Sequence, residues 1–362
     1  MKLFRTILYP LIILLAVFVI FLAYATVDDY DPETIVHLGH SDEVPALAGS
    51  DTLQLLIWNI GYAGLDASMD FFYDGGEQMR PDREQVGQNL GGILEALTPY
   101  RSYDFVLLQE VDRDSRRSYR INQVELIEGQ FPSFHSYFGK NYEVSFVPLP
   151  IYNPMGKVSS GLLTLTNPLP MQVERHSFQG NYAWPMGPFM LDRCFLVSRY
   201  PVENGTQLLV VNTHNSAYDD GSLRARQMSD LKDFLLAEYA AGNYVIVGGD
   251  WNQTPYGMEP RLPGYRFDTV NLTYIEAGYP SPDWAWAYDP SLPTNRRVSA
   301  PYNRETSLTT VIDFYLVSPN IEIEKVQTVD TGFRLSDHQP VELTVRLLSS
   351  TPPHKDTSSE PR

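Results

Sequence analysis

Val245-Ile246-Val247-Gly248-Gly249-Asp250-Trp251-Asn252 begins as an unbroken apolar run and ends in an acid and an amide two positions apart. An apolar run without alternation predicts a strand covered on both faces. Four other segments repeat the arrangement. Leu55-Leu56-Ile57-Trp58-Asn59 ends in an amide, and Val106-Leu107-Leu108-Gln109-Glu110 in a carboxylate. Val210-Val211-Asn212-Thr213-His214-Asn215 ends in an imidazole, and Leu335-Ser336-Asp337-His338-Gln339-Pro340 sets an acid beside an imidazole. Strand ends meeting at one rim of a sheet would gather these groups in a single cleft.

The intervening sequence supports layers. Strands are expected at Leu53–Ile60, Phe105–Leu108, Gly161–Thr166, Leu208–Asn212, Tyr244–Val247 and Val311–Val317. Asp82, with Gln85 three residues on, reads as a cap for a helix whose apolar face is Val86, Leu90, Ile93, Leu94 and Leu97. Ser222–Ala240 reads as a second helix, with Met228, Leu231, Phe234 and Leu235 on one side. Alternating strands and helices with doubly covered strands predict an α/β architecture. The Pro-, Gly- and Asn-rich stretch from Pro255 to Leu308 reads as long loops on a rigid scaffold. Within it, Asp283-Trp284-Ala285-Trp286-Ala287-Tyr288 has three readings: a ring-stacking surface, a membrane-interface patch or a cap on the core.

Carboxylates with amide oxygens are hard ligands, suited to Mg²⁺ or Mn²⁺. Glu110 alone, or Glu110 with Asp337 and Asn59, would hold such an ion. Asp250 is placed to polarise a water, and His214 and His338 to contact a phosphoryl oxygen. That equipment suits metal-assisted phosphoester hydrolysis. No G-x-x-x-x-G-K-[ST] loop, G-x-S-x-G elbow or H-E-x-x-H helix occurs, so nucleotide-driven, serine-esterase and zincin chemistry lose support.

Composition narrows the field. The 362 residues carry 27 Lys+Arg against 44 Asp+Glu, a net charge of −17. A protein that coats duplex DNA needs the opposite balance. One cysteine, Cys194, excludes an intrachain disulfide framework and a cysteine zinc site; it reads as a small buried apolar residue. Asp112, beside Arg113 and Asp114, reads as a solvated turn. Arg224 and Gln227 read as structural, and Arg193 as a weaker candidate for phosphate.

The ordered segments Trp58-Asn59, Gln109-Glu110-Val111-Asp112, Ser160-Gly161-Leu162-Leu163, Asn212-Thr213-His214, Gly249-Asp250-Trp251-Asn252, Ile312-Asp313-Phe314 and Ser336-Asp337-His338-Gln339-Pro340 resemble the endonuclease/exonuclease/phosphatase (DNase I-like) superfamily. The resemblance implies a four-layer α-β-β-α sandwich with the site at one edge of two packed sheets. It implies Glu110 as principal Mg²⁺ ligand, Asn59 supporting the metal and a phosphoryl oxygen, and Asp337 assisting that metal or a second one. Asp250 would orient or deprotonate the attacking water, and Asn252 would fix water and phosphate. His338 would bind the scissile phosphate, Asp313 would hold His338 in its working tautomer, and His214 would hydrogen-bond the phosphate or leaving group. The loops Gly61–Leu65 and Met69–Gly76, and Asn215 after His214, depart from better-known members, so the resemblance leaves the substrate open.

Thr6 to Val27 is free of charge, long enough to span a bilayer, preceded by Lys2 and Arg5 and followed by acids. It reads as a signal anchor with the body outside the cytoplasm. A cleaved signal peptide is the alternative, since Ala23-Tyr24-Ala25 has small-x-small form and would give a secreted or periplasmic protein. Residues 28–51 hold seven acids and no Lys or Arg and read as an acidic linker; residues 52–348 read as the catalytic domain and 349–362 as a disordered tail. The expected activity is hydrolysis of a phosphoester on a lipid or small molecule at the membrane, with no obligate protein partner. A nuclease of the same fold and a non-catalytic surface-binding module are the alternatives.

Overall fold

The computed structural model of the protein describes residues 2–49, 52–217, 221–259, 261–270 and 272–348. The expected tail, 349–362, lies outside the described residues. The chain opens with helix α1 (Lys2–Val27) and strand β1 (Ile35–His40). Then come β2 (Thr52–Asn59), α2 (Arg83–Leu97), β3 (Phe105–Asp112), α3 (Gln123–Glu128), β4 (His135–Val147), β5 (Gly156–Thr166) and β6 (Gln172–Ser177). β7 (Cys194–Pro201), β8 (Gln207–His214), α4 (Ser222–Ala240) and β9 (Tyr244–Asp250) follow. The last third holds the short strands β10 (Arg266–Phe267), β11 (Ala285–Ala287), β12 (Asn295–Arg296) and β13 (Leu308–Thr310), then β14 (Asp313–Val317), β15 (Ile321–Thr328) and β16 (Val341–Leu347).

Two sheets form the centre. One runs β15-β16-β2-β3-β5-β4 and the other β1-β6-β7-β8-β9-β14-β11. Their facing sides bury Leu55, Ile57 and Leu107 against Val210, Ile246 and Tyr315. On the outer face of the first sheet, Val86, Leu90, Ile93 and Leu97 of α2 pack on Leu56, Val106 and Leu108. On the outer face of the second, Met228, Leu231 and Leu235 of α4 pack on Val211, Val245 and Val247. Consecutive residues such as Leu56 and Ile57 thus enter opposite cores. That is why the strands read as continuous apolar runs. Each such side chain contributes about 1.5–3 kcal/mol when fully buried. The result is the expected four-layer α-β-β-α sandwich.

Local chemistry sets the helix starts. The Asp82 carboxylate accepts from the Gln85 N–H at 2.9 Å and caps α2. The 283–288 stretch takes the core reading: Trp286 joins Trp251 and Phe314 edge-on, and Trp284 meets Tyr239.

The expected linker is in part a strand. Ile35–His40 pairs antiparallel with β6, from Ile35 opposite His176 to His40 opposite Gln172. Leu38 turns inward onto Leu162, Cys194 and Leu196, and Leu47 bridges to Val202. The acids that flag this segment lie outside β1. The strand itself is short, and its pairing satisfies the backbone of an otherwise open sheet edge.

Helix α1 holds a 24-residue apolar stretch, Phe4–Val27, with mean hydropathy 2.8 and none of its apolar window buried. By length and composition it can cross a bilayer. It meets the body through Phe21, Leu22 and Ala25, near its C-terminal end.

Candidate active site

The site forms where strands of both sheets end on the same rim. In the parallel pair β8/β9, His214 stands opposite Asp250. In the antiparallel pair β9/β14, Asp313 stands opposite Asp250 on the other side. In the other sheet, Asn59 is the register partner of Gln109 across the parallel pair β2/β3. Between Leu108 and Val111 the β3 register shifts, and Glu110 takes φ +54. This bulge lets Gln109 reach across to the other sheet, donating to Asn212 at 2.8 Å, while Glu110 turns to the cleft. A left-handed conformation at a residue with a Cβ costs about 1–2 kcal/mol, and it is typical of functional sites.

His338 arrives from a loop tied to the end of β2. The Ser336 hydroxyl donates to the Asn59 carbonyl at 2.9 Å, and the Trp58 indole donates to the His338 carbonyl at 3.0 Å. Its ring Nδ1 lies 2.8 and 3.0 Å from the two oxygens of Asp313.

These elements converge on one carboxylate. Asp250 Oδ2 accepts from Asn59 Nδ2 at 3.0 Å and lies 3.4 Å from His214 Nε2 and 3.7 Å from His338 Nε2. Its Oδ1 accepts from the Asn252 N–H at 2.9 Å. Glu110 is 4.0 Å from His214 Nε2 and 3.4 Å from Asn59 Nδ2, with a quarter of its side chain open to solvent. Asp337 lies 3.9 Å from His338 Nε2. The eight residues singled out from sequence thus lie around one cleft of about 930 Å³ or directly support those that line it.

The electrostatics follow from burial. Desolvation raises the Asp250 carboxyl to about 6, against the pull of His338. Asp337 is raised to about 7, by burial first, with the Glu110 charge adding to it. His338 is held well above the usual imidazole value, because Asp313, Asp337 and Asp250 together outweigh its desolvation. His214 is pushed well below that value by burial, with Arg193 and His338 adding repulsion. One histidine is therefore biased charged and the other neutral.

The donor set fits a hard divalent cation. Glu110 and Asp337 bring two carboxylates to one place, and the partly open Glu110 leaves room for the waters Mg²⁺ retains. Asp250, Asp313 and His338 also crowd within 4.8 Å. There both Asp313 oxygens face the imidazole Nδ1, at 3.0 and 2.8 Å, so Glu110 and Asp337 are the carboxylates that lie more open to an ion. Asn59 corrects the expectation that it ligates metal. Its Oδ1 accepts from the Gly61 N–H at 3.0 Å, and its Nδ2 faces Glu110 and Asp250. A backbone N–H can only donate, so the atom it meets is the amide oxygen, and Asn59 presents a donor to the cleft.

Other expectations also change. Asp112 is no solvated turn: it is fully buried, paired with Arg117 at 2.9 Å and bonded to the Ser118 hydroxyl at 2.8 Å. Gln227 is structural, holding the Ser216 backbone, whereas Arg224 lines the cleft and donates to the Asn252 carbonyl at 3.1 Å. Arg193 also lines the cleft, and its Nη1 is buried without a hydrogen-bond partner among the described residues. Burial lowers its pKa, although Glu110 and Asp250 pull the other way. Asn295, unread in the sequence, places Nδ2 3.0 Å from His338 Nε2. Its signal was weak, because it sits in the loop-rich stretch with no apolar strand before it.

Comparison with known proteins agrees with this geometry. A model of the Endonuclease/Exonuclease/phosphatase family matches residues 56–338. No curated protein sequence matches the chain. Among solved structures, an endonuclease/exonuclease/phosphatase from Beutenbergia cavernae DSM 12333 is similar with TM-score 0.53 and 17% identity, covering 82% of this chain and 72% of that one. ANGEL2, a 2',3'-cyclic phosphatase in complex with adenosine-2',3'-vanadate, is similar with TM-score 0.53 and 13% identity, covering 83% and 96%. D. rerio TDP2, complexed with a single-strand DNA product, is similar with TM-score 0.51 and 14% identity, covering 82% and 99%. At such identities the likeness is one of fold, and the matched segment spans the whole rim from β2 to His338. The chain belongs to the endonuclease/exonuclease/phosphatase family, whose members hydrolyse phosphoesters.

Proposed function

We propose that the protein is a Mg²⁺-dependent phosphoester hydrolase, held in a membrane by α1 with its catalytic body on the exported side. One observation carries the chemistry: Asn59, His214 and His338 surround the Asp250 carboxylate at 3.0–3.7 Å, with Glu110 beside them. The topology follows from Lys2 and Arg5 before the apolar run and Asp28, Asp29 and Asp31 after it.

The residues divide the work. Asp250 takes a proton from the attacking water, and its position is fixed by Asn59 and by the Asn252 N–H. His338, charged and held by Asp313, donates to a phosphoryl oxygen as negative charge gathers there. His214, neutral, hydrogen-bonds the phosphate or the leaving oxygen. Asn252 positions the water and the phosphate, with its backbone carbonyl held by Arg224. As the new P–O bond forms, the bond to the leaving oxygen breaks, and that oxygen keeps the electron pair and takes a proton from solvent. Glu110 and Asp337 would hold Mg²⁺, which when bound supplies Lewis-acid stabilisation of the phosphoryl charge.

The test uses the full chain in lipid nanodiscs with sphingomyelin, phosphoinositides, nucleotides and plasmid DNA, each with and without Mg²⁺. Wild type should release product from at least one in a metal-dependent way, and Asp250→Asn should lose about 10²-fold or more. A folded protein inert on the whole panel, or an Asp250→Asn variant with full activity, overturns the reading. Activity confined to DNA would make it a nuclease.

A further inference from the structure

We propose that the substrate is an acyl-chain phospholipid drawn from the bilayer that α1 occupies, with its phosphoester at the catalytic cluster and its chain in an apolar arm of the same cleft. The inference rests on the phosphoesterase reading and adds the substrate class and its route of entry.

The cleft has two chemically distinct ends. One holds Glu110, Asp250 and His338. The other is walled by Phe18, Phe21 and Leu22 of α1 together with Leu149, Met186 and Phe189. The contact with α1 is specific: the Phe21 ring stacks on Phe189 at 5.6 Å and meets Phe146 edge-on at 6.2 Å. A helix apolar enough to cross a bilayer therefore forms part of the wall of the active-site cleft.

The two body loops that complete this wall carry no charge, although the protein is strongly acidic. Phe146 to Gly156 and Tyr182 to Leu191 contain no Asp, Glu, Lys or Arg. They expose large apolar side chains: Ile151 is 84% exposed, Tyr152 81%, Trp184 65% and Met186 52%. A soluble surface rarely gathers such groups without a partner. Trp184 donates to the Thr26 hydroxyl at 3.2 Å, one residue before the helix end. If α1 lies in hydrocarbon and Asp28 in water, Trp184 sits at the interface that tryptophans favour. Phe18 lies about 12 Å deeper along the helix than Thr26, at 1.5 Å per residue. The apolar arm thus opens toward the bilayer, and the catalytic cluster lies on its aqueous side. An amphipathic phosphoester matches both ends at once, whereas a water-soluble phosphate makes no use of the apolar end.

The experiment places the full chain in vesicles of phosphatidylcholine and phosphatidylglycerol with Mg²⁺. It compares headgroup release from long-chain lipid with hydrolysis of water-soluble short-chain analogues carrying the same headgroups. The variant Ile151→Asp/Tyr152→Asp alters exposed residues outside the cleft lining. Long-chain turnover should fall about tenfold or more, with short-chain turnover within about twofold of wild type. Equal loss on both, no loss on the lipid, or wild-type hydrolysis of the short-chain esters alone overturns the proposal. If neither ester class is cleaved, the lipid proposal falls, and the phosphoesterase reading is decided separately by the wider substrate panel. A second readout is independent of activity. Trp184 is exposed, while Trp58, Trp251 and Trp284 are buried and Trp286 is half-buried. Brominated lipids should quench wild-type fluorescence, and Trp184→Phe should abolish that quenching; unquenched wild type places the loops away from the bilayer and overturns the docking.

Discussion

The Asp313 carboxylate straddles His338 Nδ1, its two oxygens 2.8 and 3.0 Å from the ring nitrogen. Because Asp313 is the cross-strand partner of Asp250, the sheet register fixes the distance between the residue that orients the imidazole and the proposed base. Asp313→Asn removes the strongest of the charges that raise His338. Its pKa should fall toward 6.5, and kcat/KM should drop about 10–100-fold, as when the partner of a working imidazole is lost. The sign for stability follows. With the folded pKa above the unfolded one, the stabilisation is complete below about 6.5 and is lost as pH rises through the raised value. The variant should flatten the pH profile of Tm in that window, and NMR titration of His338 checks the assignment.

Asp250→Asn should separate activity from stability. The buried carboxylate is strained by desolvation, which lifts it to about 6. The asparagine keeps one oxygen, so it retains only one of the two bonds from Asn59 Nδ2 and the Asn252 N–H, which meet different oxygens of Asp250, but it removes the buried charge. Turnover should fall about 10²–10⁴-fold, the usual worth of a general base, while Tm at pH 8 holds or rises. Calorimetry and steady-state kinetics on the same preparation decide it; a large fall in Tm would mean the carboxylate holds the fold.

Metal affinity should depend on pH in a stated direction. Asp337, raised to about 7, must release its proton before both carboxylates can face a cation. Apparent Mg²⁺ affinity should rise as pH increases through 6 to 7 and level off above about 8. Glu110→Gln should weaken binding at every pH, whereas Asp337→Asn should remove most of the slope. Isothermal titration across pH reads both, and a flat wild-type profile would contradict the arrangement.

The backbone behind the site is intolerant of a side chain. Gly249, one residue before Asp250, has φ +149, and a Cβ there would lie 2.0 Å from the Thr213 carbonyl oxygen on β8. The neighbouring strand cannot move without dragging His214, so the clash has no cheap outlet. Gly249→Ala should destabilise by about 2–4 kcal/mol and misplace the His214–Asp250 pair, lowering both Tm and turnover. Denaturant unfolding measures the first effect.

Legibility followed the kind of signal each residue left. Strands ending in Asn59, Glu110, His214 and Asp250 could be read because each polar group terminates an apolar run, and the same runs announced the two-sided cores. β1 was hidden because its neighbours are acidic and its pairing partner, β6, is over a hundred residues away. The orientation of Asn59 was invisible, since one N–H two residues ahead determines which end of the amide meets the cleft. Ile151, Tyr152 and Trp184 carried the composition of a core but lie outside it, and only the placement of α1 beside them gives that exposure a meaning.

Asp112 misleads in the sequence for a reason that can be tested. Flanked by Arg113 and Asp114 it resembles solvated surface, yet its carboxylate receives Arg117 Nη2 at 2.9 Å, Nε at 3.2 Å and the Ser118 hydroxyl at 2.8 Å. The guanidinium in turn lies 3.7 Å from the centre of the Tyr62 ring, in the wall of the cleft. Asp112 is wholly buried and Arg117 nearly so, so losing one partner strands the other charge in a low-dielectric layer. Arg117→Ala should therefore cost about 3–5 kcal/mol, far more than a surface pair. The Arg117→Met/Asp112→Leu double variant should recover much of that loss, because two apolar groups leave no unpaired charge. A double-mutant cycle by urea denaturation measures the coupling, and near-additive losses would mean the pair acts through packing on Tyr62 rather than through charge.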